Sequence, residues 1–126
     1  MDKSTSKQIR AVRGAITVGA DDRDEIVAAT AELLREVLVR NDATPDDVVS
    51  VIFTATPDLT AAFPAAAARE LGMEDVPLLC ASEIPVEGAL PRCVRVMMHL
   101  ITPRPRGELQ HVYLGGAREL RADLFR

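Results

Sequence analysis

Tryptophan is missing from this 126-residue chain, and aromatic residues make up only 3% of it. The core must therefore come from Val, Leu, Ile, Ala and Met, which leaves Phe53, Phe63, Tyr113 and Phe125 as singular residues. Cysteine is nearly as scarce. Cys80 and Cys93 stand without a secretion signal, so they read as reduced thiols; a disulfide framework is excluded and a cytoplasmic location is expected. No apolar run approaches the roughly 20 residues of a bilayer span, and residues 1–8 hold no apolar leader, so neither membrane insertion nor export is expected. Positive charge is in deficit as well. The formal net charge is -4, the reverse of a nucleic-acid-binding surface. Phosphate-cradling glycine loops, paired-cysteine zinc patterns, His-Glu-x-x-His and Gly-x-Ser-x-Gly are all absent, so no cofactor is expected. Cys80, Cys93, His99 and His111 fit no zinc spacing, and no metal site is expected.

What is present is an ordinary globular balance, 48% hydrophobic and 27% charged, at a length that suits one domain. Residues 1–8 are polar and aperiodic and read as a disordered tail, with the domain over 9–126. Residues 9–18 mix β-branched residues with Arg10 and Arg13, which predicts a strand with those arginines on opposite faces and Gly14 at a bulge or close approach. Asp21, Asp22 and Glu25 form a helix-start signature ahead of Ile26, Ala29, Leu33 and Val37 at helical spacing, and Asn41 ends that helix. A short helical piece at Thr44-Pro45-Asp46-Asp47 precedes a buried strand over 48–54. Phe63-Pro64 opens an alanine-rich helix that stops at Gly72, and residues 76–81 read as a third strand. Leu90, Val94, Met97 and Met98 recur at helical spacing, which predicts a helix before Pro103 and Pro105; residues 110–114 form a last strand. The expected class is α+β, a single domain with a mixed sheet packed against helices.

The residues open to chemistry are Arg13, Arg69 and Arg95, all read as lying near ends of elements, with Glu83 just past a strand and Tyr113 on another. On pattern alone each has a bland alternative. Arg95 reads more readily as a solvated helix arginine, Glu83 as an N-cap or surface carboxylate, and Tyr113 equally as strand core.

The ordered set of motifs is more specific. Val-Arg-Gly-Ala-Ile-Thr-Val (12–18), Thr-Ala-Thr-Pro-Asp-Leu-Thr-Ala-Ala-Phe-Pro-Ala (54–65) and Ala-Arg-Glu-Leu (68–71) are followed by Val-Pro-Leu-Leu-Cys-Ala-Ser-Glu (76–83), Arg-Cys-Val-Arg-Val-Met-Met (92–98) and His-Val-Tyr-Leu (111–114). In this order, over 9–124, they resemble the bacterial monofunctional chorismate mutases of the trimeric, barrel-like class. That resemblance implies a trimeric pseudo-α/β barrel with active sites between subunits, and the isomerisation of chorismate to prephenate in aromatic amino acid biosynthesis. Carried over residue by residue, it makes Arg13 a binder of a substrate carboxylate and Arg95 the cation facing the ether oxygen of the breaking bond. It gives the ring hydroxyl to Glu83 with Cys80 beside it, a carboxylate to Tyr113, and a binding loop to Leu79, Cys80, Ala81, Ser82 and Glu83. Phe63 and Arg69 would come from a neighbouring subunit. Leu79 and Ala66 depart from the Thr and Lys expected in related sequences, and little chain follows Leu124 to cover a pocket, so weakened substrate affinity is expected more than slowed chemistry. Two other functions fit such an architecture, a non-catalytic trimeric module binding small carboxylates and a deaminase-like hydrolase.

Overall fold

The structure, a computed structural model, describes residues 6–125, with side chains through residue 120. Most of the tail expected over 1–8 lies outside the described residues, and Gln8 already belongs to the first strand. Strand β1 (Gln8–Thr17) leads to helix α1 (Arg23–Arg40), strand β2 (Val48–Ala55), helix α2 (Ala65–Glu70), strand β3 (Leu78–Ser82), strand β4 (Cys93–Thr102) and strand β5 (Val112–Leu114). Short 3₁₀ turns cover Pro45–Asp47 and Arg106–Glu108, and a 3₁₀ segment spans Gly115–Phe125. The sheet order is β3-β2-β4-β1-β5. β4 runs antiparallel to both β1 and β2, whereas the outer strands β3 and β5 run parallel to their neighbours. The sheet is mixed, and the fold is α+β as the sequence suggested.

Alternation sorts each strand into two faces. One face carries Val12, Ile16, Val51, Phe53, Val94, Val96, Met98, Leu100 and Val112, all buried against Ile26, Leu33, Leu34 and Val37 of α1. α1 forms because those residues recur on one stripe and because Asp22 caps its start, accepting from the Glu25 amide at 3.0 Å. Gly14 sits where that stripe meets the sheet. A Cβ there would lie 3.1 Å from Leu33 Cδ1 and from the Val112 carbonyl, so the close approach is real, while the β1 to β4 register runs without a bulge. The register shift falls instead in β2, between Val48 and Ser50.

At its far end α1 stops at Asn41, which is buried and works as a clamp. Its amide group donates to the carbonyls of Val37 at 2.8 Å and Gln110 at 2.9 Å, and its Oδ1 accepts from the Gln110 amide at 2.8 Å. The chain entering β5 is thereby fixed to the helix end.

One expected element is corrected. The segment read as a helix around Leu90, Val94, Met97 and Met98 is the central strand β4. Val94, Val96, Met98, Leu100 and Thr102 point into the core, and Arg95, Met97, His99 and Ile101 point away. Both faces of this strand carry large apolar side chains, so the two-residue alternation is masked and a coincidental spacing of three and four stands out.

Candidate active site

On the face of the sheet turned away from α1, the 3₁₀ segment packs over Ala15, Cys93 and Tyr113 through Ala117, while the stretch around Arg13 and Arg95 stays open, and the predicted polar residues gather there. Register partners place Thr54, Arg95, Ala15 and Tyr113 in one row across β2, β4, β1 and β5. Arg13 lies on the same face two residues back along β1, opposite Met97. Arg69 closes α2, but Arg13 and Arg95 belong to strand interiors and not to element ends as expected. A strand is the better support, because neighbours on both sides fix the direction of the side chain.

Glu83 reaches this face from just beyond β3. Its amide donates to the Ala55 carbonyl at 2.9 Å, and its Oε2 accepts from the Thr54 hydroxyl. Arg95 Nε stands 4.0 Å from the same oxygen, with 48% of the arginine side chain and 25% of the glutamate side chain exposed. That contact is at the outer edge of an ion pair, so the guanidinium fork remains available to an incoming anion. Tyr113 is 7% exposed and packs with Ala15, Cys93 and Ala117. The Arg13 amide donates to His111 Nδ1 at 3.0 Å, tying β1 to the approach of β5. Cys93 shares the face of Arg95, and burial pushes its thiol up from its ordinary value although Arg95 nearby acts in the opposite sense. It is held protonated, the wrong state for a nucleophile.

A second group of predicted residues surrounds a cleft of about 1010 Å³ between α2 and the ends of β2 and β3. Phe63, Arg69, Leu79, Cys80, Ala81 and Ser82 line it; Arg13, Glu83, Arg95 and Tyr113 do not. Cys80 pairs in register with Phe53 on the core side of the sheet and Ala81 with Thr54 on the open side, so Glu83, two residues past Ala81, comes to the face of Arg95 while residues 79–82 border the cleft. Phe63 is 74% exposed, an unpacked ring at the rim. Within one chain the predicted site therefore exists as two halves.

Several supporting residues were not singled out for these roles in the sequence. Asp58 accepts from the Arg92 amide at 3.0 Å and from the Thr56 hydroxyl, and Thr56 in turn accepts from the Cys93 amide at 3.0 Å. Arg92 has φ 48°, a left-handed conformation that a side chain disfavours, and Asp58 holds it there to launch β4 toward Arg95. Asp21 accepts from the hydroxyl and amide of Thr60 and the amide of Ala61, and these bonds, the hydroxyl first, hold its carboxyl below its ordinary value. It fastens the loop before α1 to the cleft wall. Arg23, which lines the cleft, was also missed. Apart from the local Thr56–Asp58 bond, these contacts join residues 34 to 40 positions apart, and only the folded backbone reveals them.

An α+β domain that brings Arg13, Arg95 and a tethered carboxylate together on one sheet face has the make-up of a small enzyme for an anionic substrate. The chain belongs to the type I chorismate mutase family, whose family model matches residues 9–124. It is 46% identical over 117 residues to chorismate mutase AroH of Bacillus subtilis strain 168, covering 92% of each chain. It is 50% identical over 117 residues to chorismate mutase AroH of Thermus thermophilus, covering 92% of this chain and 96% of that one. The fold superposes on a solved chorismate mutase from Clostridium thermocellum with a TM-score of 0.86 and 49% identity, covering 87% of this chain and 98% of the other.

Proposed function

We propose that the two halves of the site meet between copies of a homotrimer, and that there the chain rearranges chorismate to prephenate. The chain is a chorismate mutase, an isomerase of the shikimate route to phenylalanine and tyrosine. The reaction breaks a carbon–oxygen bond as a carbon–carbon bond forms, so the protein's task is to hold a compact conformer and to stabilise charge on the ether oxygen. Arg95 faces that oxygen, with its fork oriented by β4 and its charge only loosely engaged by Glu83. Glu83, steadied by Thr54, takes the ring hydroxyl, and Arg13 and Tyr113 take a carboxylate. The neighbour's Phe63, Arg69 and residues 79–82 supply the other wall.

The observation that carries this reading is the half-exposed Arg95 beside Glu83 on an uncovered face. The division between copies is supported by the same face, where Ile9, Ile52, Leu79, Met97 and Ile101 are exposed. An apolar surface of that kind needs a partner, and a second copy brings one together with a cleft. Two free cysteines and a soluble pathway intermediate as substrate support a cytoplasmic location.

Arg95→Lys tests the central role. Each ~1.4 kcal/mol of lost transition-state stabilisation costs about tenfold in rate. Lysine keeps the charge but not the fork, so kcat should fall by about two orders of magnitude while the fold survives. Loss of chorismate absorbance with formation of prephenate is the assay. Near-normal turnover would remove Arg95 from the role.

A further inference from the structure

Among the described residues lining the cleft, only Arg69 and Arg23 carry charge. Arg69 ends α2, where a cation suits the helix dipole. Arg23 does the reverse. It occupies the first position of α1, whose first turn otherwise carries Asp24 and Glu25, and a cation there opposes the dipole. A residue that works against its own helix yet lines the cleft invites a reason outside stability.

The surroundings supply one. Asp21 is engaged by Thr60 and Ala61, and Asp22 is engaged by the Glu25 amide, so both carboxylates preceding Arg23 are committed. The Asp21 clamp also fixes where the helix start meets the cleft, since Thr60 and Ala61 are themselves lining residues. Arg23 pairs with Asp24 at 3.3 Å, with the two side chains 69% and 91% exposed. Such a pair is worth little in water and yields readily to a competing carboxylate. Ala65 and Ala66 leave the adjoining wall without a cation. A dianionic substrate entering the cleft past Asp21, Asp22 and Asp24 of the helix start therefore finds an exposed, loosely paired guanidinium on the cleft wall.

We propose that Arg23 is a further substrate-binding residue, which receives a carboxylate of chorismate at the cleft mouth and offsets the repulsion of the surrounding aspartates without taking part in the bond rearrangement. This rests on the cleft being half of the active site. Its effect lies in capture and not in chemistry, so it should appear in KM and in salt dependence.

The test compares Arg23→Gln, Arg23→Glu and Arg69→Gln with the unsubstituted enzyme, by steady-state assay over a salt series and by calorimetric titration with prephenate. Arg23→Gln is expected to raise KM about fivefold at low salt, with a larger rise for Arg23→Glu, and to weaken prephenate binding by a similar factor while kcat holds. The salt dependence of kcat/KM should flatten. The thermal midpoint should stay or rise, because a cation leaves the positive end of a helix; a merely structural role would lower it. If Arg69→Gln raises KM and Arg23→Gln leaves KM and the salt dependence unchanged, the proposal is overturned alone. If neither substitution moves KM, the cleft itself is not the substrate site and both fall.

Discussion

Cys93 and Arg95 are two residues apart on one face of β4, yet Cys93 is 1% exposed and Arg95 keeps about half of its side chain in solvent. The difference follows from neighbours, since Ala15, Tyr113 and Ala117 close over the thiol while the arginine reaches past the edge of that cluster. Burial raises the thiol's pKa in the folded protein. For a group with a raised folded value, the associated stability is present below the unfolded pKa and is lost as pH rises through the folded one. Stability should thus decline with alkalinity from about pH 9 upward, and Cys93→Ala should flatten that decline in denaturant titrations. At neutral pH a thiol reagent should reach Cys93 only as fast as the chain opens. Labelling of the native protein at the rate of a free thiol would contradict the geometry. The residues proposed for chemistry, Arg13, Glu83, Arg95 and Tyr113, stood out in the sequence because they sit in distinctive motifs, and the structure brings them to one face of the sheet. Thr54, Asp58 and Arg23 were not, since threonine, aspartate and arginine at such positions look like ordinary turn and surface residues.

Elements differ in how plainly they announce themselves. α1 was readable because cap, stripe and terminator agree, and α2 because its alanines run between Pro64 and Gly72. β4 was not, because its open face carries Met97 and Ile101 beside Arg95 and His99 and so loses its polar alternation. The clamp at Asn41 shows how one residue joins elements that the sequence presents as independent. Asn41→Ala would remove three hydrogen bonds, the buried one to Val37 and the two part-buried ones to Gln110, a cost of roughly 1–3 kcal/mol. Its expected signature is a lower denaturation midpoint with KM raised through Tyr113, and the check is chemical unfolding alongside kinetics. An unchanged midpoint would mean that water replaces the clamp at no cost.

At the scale of the molecule, the proposed site joins the Arg95 face of one copy to the cleft of another, which would make assembly part of function. Chains carrying Arg95→Ala and chains carrying Arg69→Ala should each be inactive alone. Mixed and reassembled, they should recover activity, because some interfaces then join an intact strand half to an intact cleft half. Sedimentation of the mixture would establish that the recovered activity belongs to assemblies, and absence of recovery would place both halves in one copy. Sheet topology adds a consequence in time. Among the described residues β1 pairs only with β4 and β5, so the first strand to leave a ribosome must wait for the last two before it gains a hydrogen-bonded neighbour. Such distant pairing slows closure and favours completion after synthesis over stepwise folding during it, with Val12 and Ile16 exposed to chaperones in the interval.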